Sequence, residues 1–389
     1  MDARRHSFLL LLLIYAGFIS LGLPDGTLGV AWPTLHRELH LPLGLAGSLM
    51  TVIMLLSGLS GFSSGRIIAR WGTGRVVLAS CVMTGSALMA LGLAPGMIWL
   101  LAAAVPLGLG GGAVDASLNG FVARHYSGRH MNWLHACWGI GASTGPLIMG
   151  YALEAGPGWR GGYLAIGAVQ LSLAGLFFLT QKLWAVVPEL HVPAPVAGTQ
   201  SSRPSLGANT FAGWLSAGIF ALYVAVELTT GLWAASIMML DRGYSSTTAA
   251  VGTAVYYGAI TGGRILIGFE VERWGNRRLL AWAGPVALLG AVTFALGGAP
   301  IAAVAALGLL GLGFAPVYPC LMHEVPRRFA PNAVQTVIGR QSGAANIGGA
   351  ILPAAAGYLA QQSLPSISWV VVGGTIVMLV AIRLLDRST

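Results

Sequence analysis

Charge is what this sequence has least of. Asp, Glu, Lys and Arg make up 8% of its 389 residues, where a soluble globular domain carries about 25%. So little charge cannot cover a water-facing surface. With 56% hydrophobic residues and a mean hydropathy of +0.76, much of the exterior must face lipid. Cysteine is scarce too: Cys81, Cys137 and Cys320 fall in or beside apolar runs, with no CxxC or Cys/His spacing. That pattern indicates neither a disulfide framework nor a metal site. There is no GxxxxGK[ST] loop, no HExxH motif and no long hydrophilic stretch for a soluble domain, which disfavours an ATP-driven pump, a polytopic enzyme and a receptor. The net charge of +9 is spread over short loops, so it does not form a nucleic-acid surface.

What is there is a succession of apolar runs of about 20 residues, the length a membrane-crossing helix needs. Twelve are read, near 7–34, 43–66, 75–94, 97–123, 132–154, 161–182, 211–240, 246–269, 278–297, 300–323, 333–361 and 366–385. The first is too long for a signal-peptide core and lacks a small-residue cleavage site, so it is kept as a span. Between the sixth and seventh, a Pro-, Ser- and Gly-rich stretch reads as a linker. The expected organisation is a six-helix bundle over 1–186, a linker over 187–210 and a second six-helix bundle over 211–389.

Orientation follows from the cations, which gather on the cytoplasmic side of membrane proteins. Of the 21 Lys and Arg, 16 fall on the side that carries both chain ends. Only Arg37, Arg160 and Arg242 fall on the other, and Arg264 and Arg340 lie within spans. Both termini are therefore expected in the cytoplasm.

An internal repeat is also present. The stretch GRIIARWGTGRVVLA from Gly65 aligns with GFEVERWGNRRLLA from Gly268, an offset of 203. The same offset carries Leu107–Gly110 onto Leu310–Gly313 and Gly145 onto Gly348. Parallel repetition of two halves places a binding site near the midplane between them.

The first copy, with Gly65, Arg70, Trp71, Gly72 and Arg75, resembles the loop signature of the major facilitator superfamily, roughly G-x-x-x-D-R-x-G-x-R-R. Ala69 stands where the acidic residue belongs. The second copy is fuller, with Gly268, Glu272, Arg273, Gly275, Arg277 and Arg278. The resemblance implies an all-α membrane protein of twelve helices in two homologous bundles, working as a secondary transporter by rocking of one bundle on the other. FEVERWGNRRLL and HEVPRRF look like the paired intracellular motifs of its sugar porters. Gly65, Arg70, Gly72, Arg75, Glu272, Arg273, Arg277, Glu324, Arg327 and Arg328 are then a cytoplasmic gate; the plainer reading is that they enforce topology and meet lipid head groups. GIGASTGPLIMG, from Gly139, is similar to the glycine-rich fifth-span signature of antiporters, and reads first as close helix packing through Gly141, Gly145 and Pro146.

Polar groups inside spans are costly and mark candidate sites. Asp25, Asp115 and Glu227 are the carboxylates. Asp25 precedes Gly65 by 40 residues and Glu227 precedes Gly268 by 41, so the two acids are near-equivalents across the repeat. Asp25 lies in GLPDG, where Pro24 and Gly26 are expected to break the helix. It is a candidate for binding and proton coupling, or it caps the half-helix that follows. Asp115 and Asn119 share a face, and Asp115 either couples protons or pairs with His135. His135 is itself a candidate proton relay. Trp138, Tyr223, Trp233, Tyr256, Tyr318, Gln341 and Asn346 complete a set of amides and rings suited to a hydroxylated ligand. GLPDG with an acid in the fourth span also looks like the arrangement of fucose permease-like symporters, whose acids in spans one and four bind solute and couple protons. Arg264 and Arg340, at similar depth, offer instead a clamp for an organic anion.

The expected function is proton-coupled alternating-access transport of a small hydrophilic solute, first of all a sugar. An organic-anion carrier or exchanger and proton-driven multidrug efflux are the alternatives. No cofactor beyond a proton gradient is expected. The expected partners are the solute and membrane lipid, with no nucleic acid, and the setting is a monomer in the bacterial inner membrane.

Overall fold

The computed structural model describes residues 2–126, 128–185 and 206–389. In lipid a backbone must satisfy its own hydrogen bonds, and these residues answer with helix throughout, apart from short turns and an isolated bridge between Leu206 and Phe329. The helices are α1 (Asp2–Gly22), α2 (Thr27–Glu38), α3 (Leu45–Trp71), α4 (Thr73–Gly92), α5 (Met97–His125), α6 (Gly128–Ala155) and α7 (Gly158–Leu179). After the gap follow α8 (Phe211–Ser236), α9 (Ser246–Trp274), α10 (Asn276–Leu296), α11 (Pro300–Phe314), α12 (Val317–Arg328), α13 (Pro331–Gln362) and α14 (Ser366–Ser388). A 3-10 turn (Gln181–Ala185) follows α7, and a π-helical turn (Ile237–Asp241) extends α8.

Nine stretches among the described residues are long and apolar enough to cross a membrane, α1–α2 and α11–α12 each counting as one. The long helices outside that set are α6, α9 and α13, of 28, 29 and 32 residues. They are also the helices through which the two parts of the chain meet, α6 against α9 and α13 against α3. Helices that face protein on more than one side can carry polar residues that lipid would penalise.

The first expected span is broken where Pro24 and Gly26 predict it. Gly26 takes a left-handed φ of 71°, which a side chain would strain. A second break, at Ala315–Pro316, divides α11 from α12. The repeat also appears in backbone geometry. Gly72 (φ 80°, ψ 151°) ends α3, and Gly275 (φ 76°, ψ 151°) ends α9, at the 203-residue offset read from the sequence.

Helices α1–α7 pack mainly on one another, as do α8–α14. The closest approaches between the two sets lie from mid-span to the end away from the chain termini. A Cβ on Gly29 would stand 2.6 Å from the Gly231 oxygen, one on Gly44 2.3 Å from the Gly357 oxygen, and one on Gly47 2.5 Å from the Pro353 oxygen. One on Gly150 would stand 2.4 Å from the Ala250 Cβ. At that end the Glu154 carboxylate also accepts from the Thr247 amide (3.2 Å), at the start of α9. Towards the terminus-bearing end, by contrast, Asp115, Trp133 and His135 are exposed. The sets close on each other at the far end and part at the near end.

The last residues of the expected linker are not free. The Ala330 amide donates to the Leu206 oxygen (2.9 Å), and Arg340 on α13 donates to the Ala208 oxygen (2.6 Å) and to Asn209 Oδ1 (2.7 Å). Residues 187–205 of that linker, and residue 186 before it, lie outside the described residues.

Candidate functional site

The site begins with glycines on α6. A Cβ on Gly141 would lie 1.9 Å from the Ile19 oxygen, and one on Gly145 1.9 Å from the Leu23 oxygen; from the other side, one on Gly22 would lie 2.1 Å from the Trp138 oxygen. The backbones of α1 and α6 therefore touch, which is the packing role of the GIGASTGP stretch. This contact delivers Trp138 to the break between α1 and α2. There its Nε1 donates to Asp25 Oδ2 at 2.7 Å. The carboxylate does not cap α2: the cap position is Gly26, and no side chain bonds to that helix start. Tyr257 of α9 closes the corner, edge-on to the Trp138 ring at 6.3 Å and against Gly26.

Asp25, Trp138 and Tyr257 wall a cavity of ≈ 240 Å³. It runs from this corner into the α1–α7 set, between Met50, Ile53, Met54 and Ser57 of α3, Thr84, Leu88 and Leu91 of α4, Leu107 and Asp115 of α5, and Tyr163 and Gln170 of α7. The charged side chains among these walls are two carboxylates, Asp25 and Asp115. Asp115 Oδ1 accepts from Asn119 Nδ2 at 3.0 Å, one helical turn on. The structure records no pairing of Asp115 with His135 among the described residues; His135 stands edge-on to Phe18 at 5.9 Å. The sequence reading missed Ser57, Thr84, Tyr163 and Gln170. Each is a lone polar residue in an apolar run, and periodicity alone does not show which way it faces.

The expected residues of the second half form a different group. Glu227 and Arg264 pair at 3.7 Å, with Glu227 buried. Arg264 also donates to Tyr223 Oη (3.1 Å), and Tyr256 Oη donates to the Glu227 backbone oxygen (3.1 Å). Breaking a buried pair by removing one partner costs about 3–5 kcal/mol, so Glu227 and Arg264 each depend on the other. Its link to Asp25 is indirect: the Arg264 guanidinium lies 5.9 Å from the Trp138 ring.

The structure places the other expected residues away from this cavity. Arg264 and Arg340 do not form a clamp, because Arg264 is held by Glu227 and Tyr223 while Arg340 is held by Ala208 and Asn209 and stacks over Trp214. Gln341 is fully buried and donates to Ser216 (2.7 Å), tying α13 to α8. Trp233 donates to the Pro353 oxygen (3.2 Å), and Tyr256 is packed in the core. None of these walls the cavity. Tyr318 meets the rings of Phe220 and Tyr223, and Asn346 lies beside Gly58 across the seam.

The expected gate is a network within the second half. Glu324 accepts from Asn276 (2.7 Å) and Arg327 (3.0 Å) and lies 3.5 Å from Arg277 and 3.6 Å from Arg328. Arg328 reaches on to Asp386 at 2.6 Å. Asn276 and Asp386 were not foreseen, since nothing in the sequence brings the start of α10 and the end of α14 beside α12. Arg273 is exposed, and the side chain of Glu272 lies outside the described residues. In the first copy, Arg70 and Arg75 are exposed, and a Cβ on Gly65 or Gly72 would meet nothing within 4 Å.

Two stretches, Gly61–Gly65 and Gly141–Gly145, fit G-x-S-x-G by letter. Both lie inside helices, where Ser63 donates to Leu59 (2.9 Å) and Ser143 to Gly139 (2.7 Å). The strand–turn–helix that exposes a nucleophile is missing.

The profile of the Major Facilitator Superfamily matches residues 13–339, with a second match over 215–389. The chain belongs to the Major Facilitator Superfamily. Among its relatives, Uncharacterized transporter y4wD of Sinorhizobium fredii is 26% identical over 384 residues, 92% of this chain and 93% of that one. Bypass of stop codon protein 6 of Saccharomyces cerevisiae is 26% identical over 282 residues, 66% of this chain and 56% of that one. Solved structures share the superfamily fold at low identity. The nucleoside transporter NupG matches with TM-score 0.74 at 14% identity over 100% of both chains. A bacterial homologue of the human lysosomal transporter Spinster, inward-facing and occupied, matches with TM-score 0.75 at 14% identity over 99% of this chain and 97% of that one. The chain is a membrane transporter of the Major Facilitator Superfamily kind, integral and multi-pass, and not an enzyme.

Proposed function

We propose that this transporter moves a small, uncharged, hydroxylated solute, first of all a sugar, by proton-coupled alternating access. The observation that carries the reading is the cavity's charge: two carboxylates, Asp25 and Asp115, and no basic side chain in its walls. Such a cavity repels organic anions, and the Glu227–Arg264 pairing removes the arginine that an anion would need. A hydroxylated solute is served well, with carboxylate oxygens to accept from hydroxyls and the Trp138 and Tyr257 rings to lie against C–H faces. A carboxylate that alternates between an open and a closed environment can take up and release a proton as the gate moves. Asp25 and Asp115 are the groups assigned that task.

Twelve crossings in two six-helix bundles follow if α6, α9 and α13 join the nine apolar stretches. The bias of arginines towards the terminus-bearing side supports cytoplasmic termini, and the proposed setting is a monomer in a bacterial inner membrane. The end where the sets part is then the cytoplasmic end. Met50, Met54 and the leucines of the cavity walls favour one competing reading, efflux of an apolar cation.

Reconstitution into proteoliposomes tests this. An imposed proton gradient is expected to drive accumulation of a labelled hexose or of uridine from a panel that also holds succinate and tetraphenylphosphonium. Succinate exchange without accumulation of any neutral solute would sink the reading. Transport of tetraphenylphosphonium alone would replace it by cation efflux.

A further inference from the structure

We propose that the end of the cavity inside the α1–α7 set is a hydroxyl-binding arm, built by Tyr163 and Gln170 of α7 with Thr84 of α4. This rests on the reading of a hydroxylated solute and adds where two of its hydroxyls are held, one at each end of the arm.

Gln170 is an amide in an otherwise apolar stretch of α7 and is 2% exposed. Its Nε2 donates to Thr84 Oγ1 at 2.6 Å. The threonine hydroxyl in turn donates to the Ser80 oxygen (3.0 Å), so its proton is already used. The amide is thereby held with its nitrogen engaged. Its Oε1, fully shielded, has no hydrogen-bond partner in the protein among the described residues. The Tyr163 hydroxyl is in the same condition, on a side chain 2% exposed. A buried polar atom without a partner is costly anywhere and most of all in a membrane-spanning bundle. Two such atoms on one wall of one cavity point to a bound group that completes them.

Their placement says what that group is. Tyr163 and Gln170 are seven residues apart, two turns on the same face of α7 and about 10 Å along its axis. Between and opposite them the walls are apolar, with Leu88, Leu91 and Ala104. A carbonyl oxygen requires a donor, and a phenol gives or takes one bond. An alcohol hydroxyl, which donates and accepts, suits both. A carboxylate would face the Gln170 oxygen with its own lone pairs. An ammonium group would find no countercharge in the arm.

The test uses Tyr163→Phe in the full-length protein, with Gln170→Met as a second variant, and two readouts. The first is the melting midpoint in detergent without added solute. The second is the concentration dependence of counterflow for labelled D-glucose, D-galactose, L-fucose and uridine. Losing one neutral hydrogen bond is expected to raise the half-saturating concentration by about 2- to 10-fold, with maximal rate unchanged. The midpoint of Tyr163→Phe should stay level or rise, because the atom removed has no protein partner. A lower midpoint in that variant means that the hydroxyl is part of the protein's own bonding and overturns the proposal. So does an unchanged half-saturating concentration. If the unmutated protein moves none of the four probes, the hydroxylated-solute reading falls separately. The midpoint of Tyr163→Phe then decides the arm alone, a drop overturning it and a level or raised value supporting it.

Discussion

Replacing Gly47 by alanine should open the end of the protein far from the chain termini, the end that faces outward in the topology proposed above. The added Cβ would stand 2.5 Å from the Pro353 oxygen and 2.7 Å from the Ala354 Cα, where a carbon contact normally sits at about 3.5–4.0 Å. Both neighbours are backbone, so neither can swing aside. Overpacking of this kind costs about 1–3 kcal/mol. At about 1.4 kcal/mol per factor of ten, the ratio of closed to open states should fall roughly 5- to 150-fold. The helix itself is not harmed, because alanine is favoured over glycine in a helix interior by about 1 kcal/mol. The measurement needs a chain in which Cys81, Cys137 and Cys320 are replaced and Leu232→Cys is introduced. Leu232 is 2% exposed and borders the seam at Gly29. A membrane-impermeant maleimide added outside should label it faster in Gly47→Ala by a factor in that range. Gly262→Ala, where a Cβ meets nothing within 4 Å, serves as the control and should leave the rate alone. An unchanged rate in Gly47→Ala, at an unchanged melting midpoint, would refute the claim that backbone contact across this seam holds the outward end shut.

Asp25→Asn should abolish gradient-driven accumulation while counterflow persists; uphill transport by this variant would remove Asp25 from proton coupling. Trp138→Phe keeps an aromatic ring, though a smaller one, and removes the donor to Asp25, a charge-assisted bond of about 1.5–3 kcal/mol. The half-saturating solute concentration should therefore rise by at least about tenfold, and an unchanged value would count against the corner at Asp25 as the binding site. Glu227→Leu should destabilise the protein by about 3–5 kcal/mol. The double variant Glu227→Leu/Arg264→Leu should regain most of that, read as melting midpoints side by side. Arg340→Ala should leave the solute panel's ranking untouched, since its guanidinium is committed to Ala208 and Asn209; gain or loss of succinate transport would restore the anion reading.

The features legible in the sequence are those set by local chemistry or by repetition. Pro24 and Gly26 gave the break in the first span because their backbone preferences act at the spot. The 203-residue offset anticipated the matching turns at Gly72 and Gly275. Asp25 and Trp138 were each singled out, but their bond depends on how closely Gly141 and Gly145 let two helices approach, which no single span reveals. The arginines show the limit more sharply. Arg264 and Arg340 look alike as charges in apolar runs, yet one faces a carboxylate on α8 and the other holds the linker end. Gln170 went unnoticed for the opposite reason, as one amide among apolar neighbours in a span whose pattern does not show which way it faces. Pairing between distant helices, rather than residue type, separates these cases.

The pinned linker has a mechanical consequence. Its upstream end leaves the turn Gln181–Ala185, which packs against α1 and α4, and its downstream end is fastened by Leu206, Ala208 and Asn209. Each of the segments that flank residues 186–205 is therefore fastened to its own set of helices and is carried with that set when one rocks on the other.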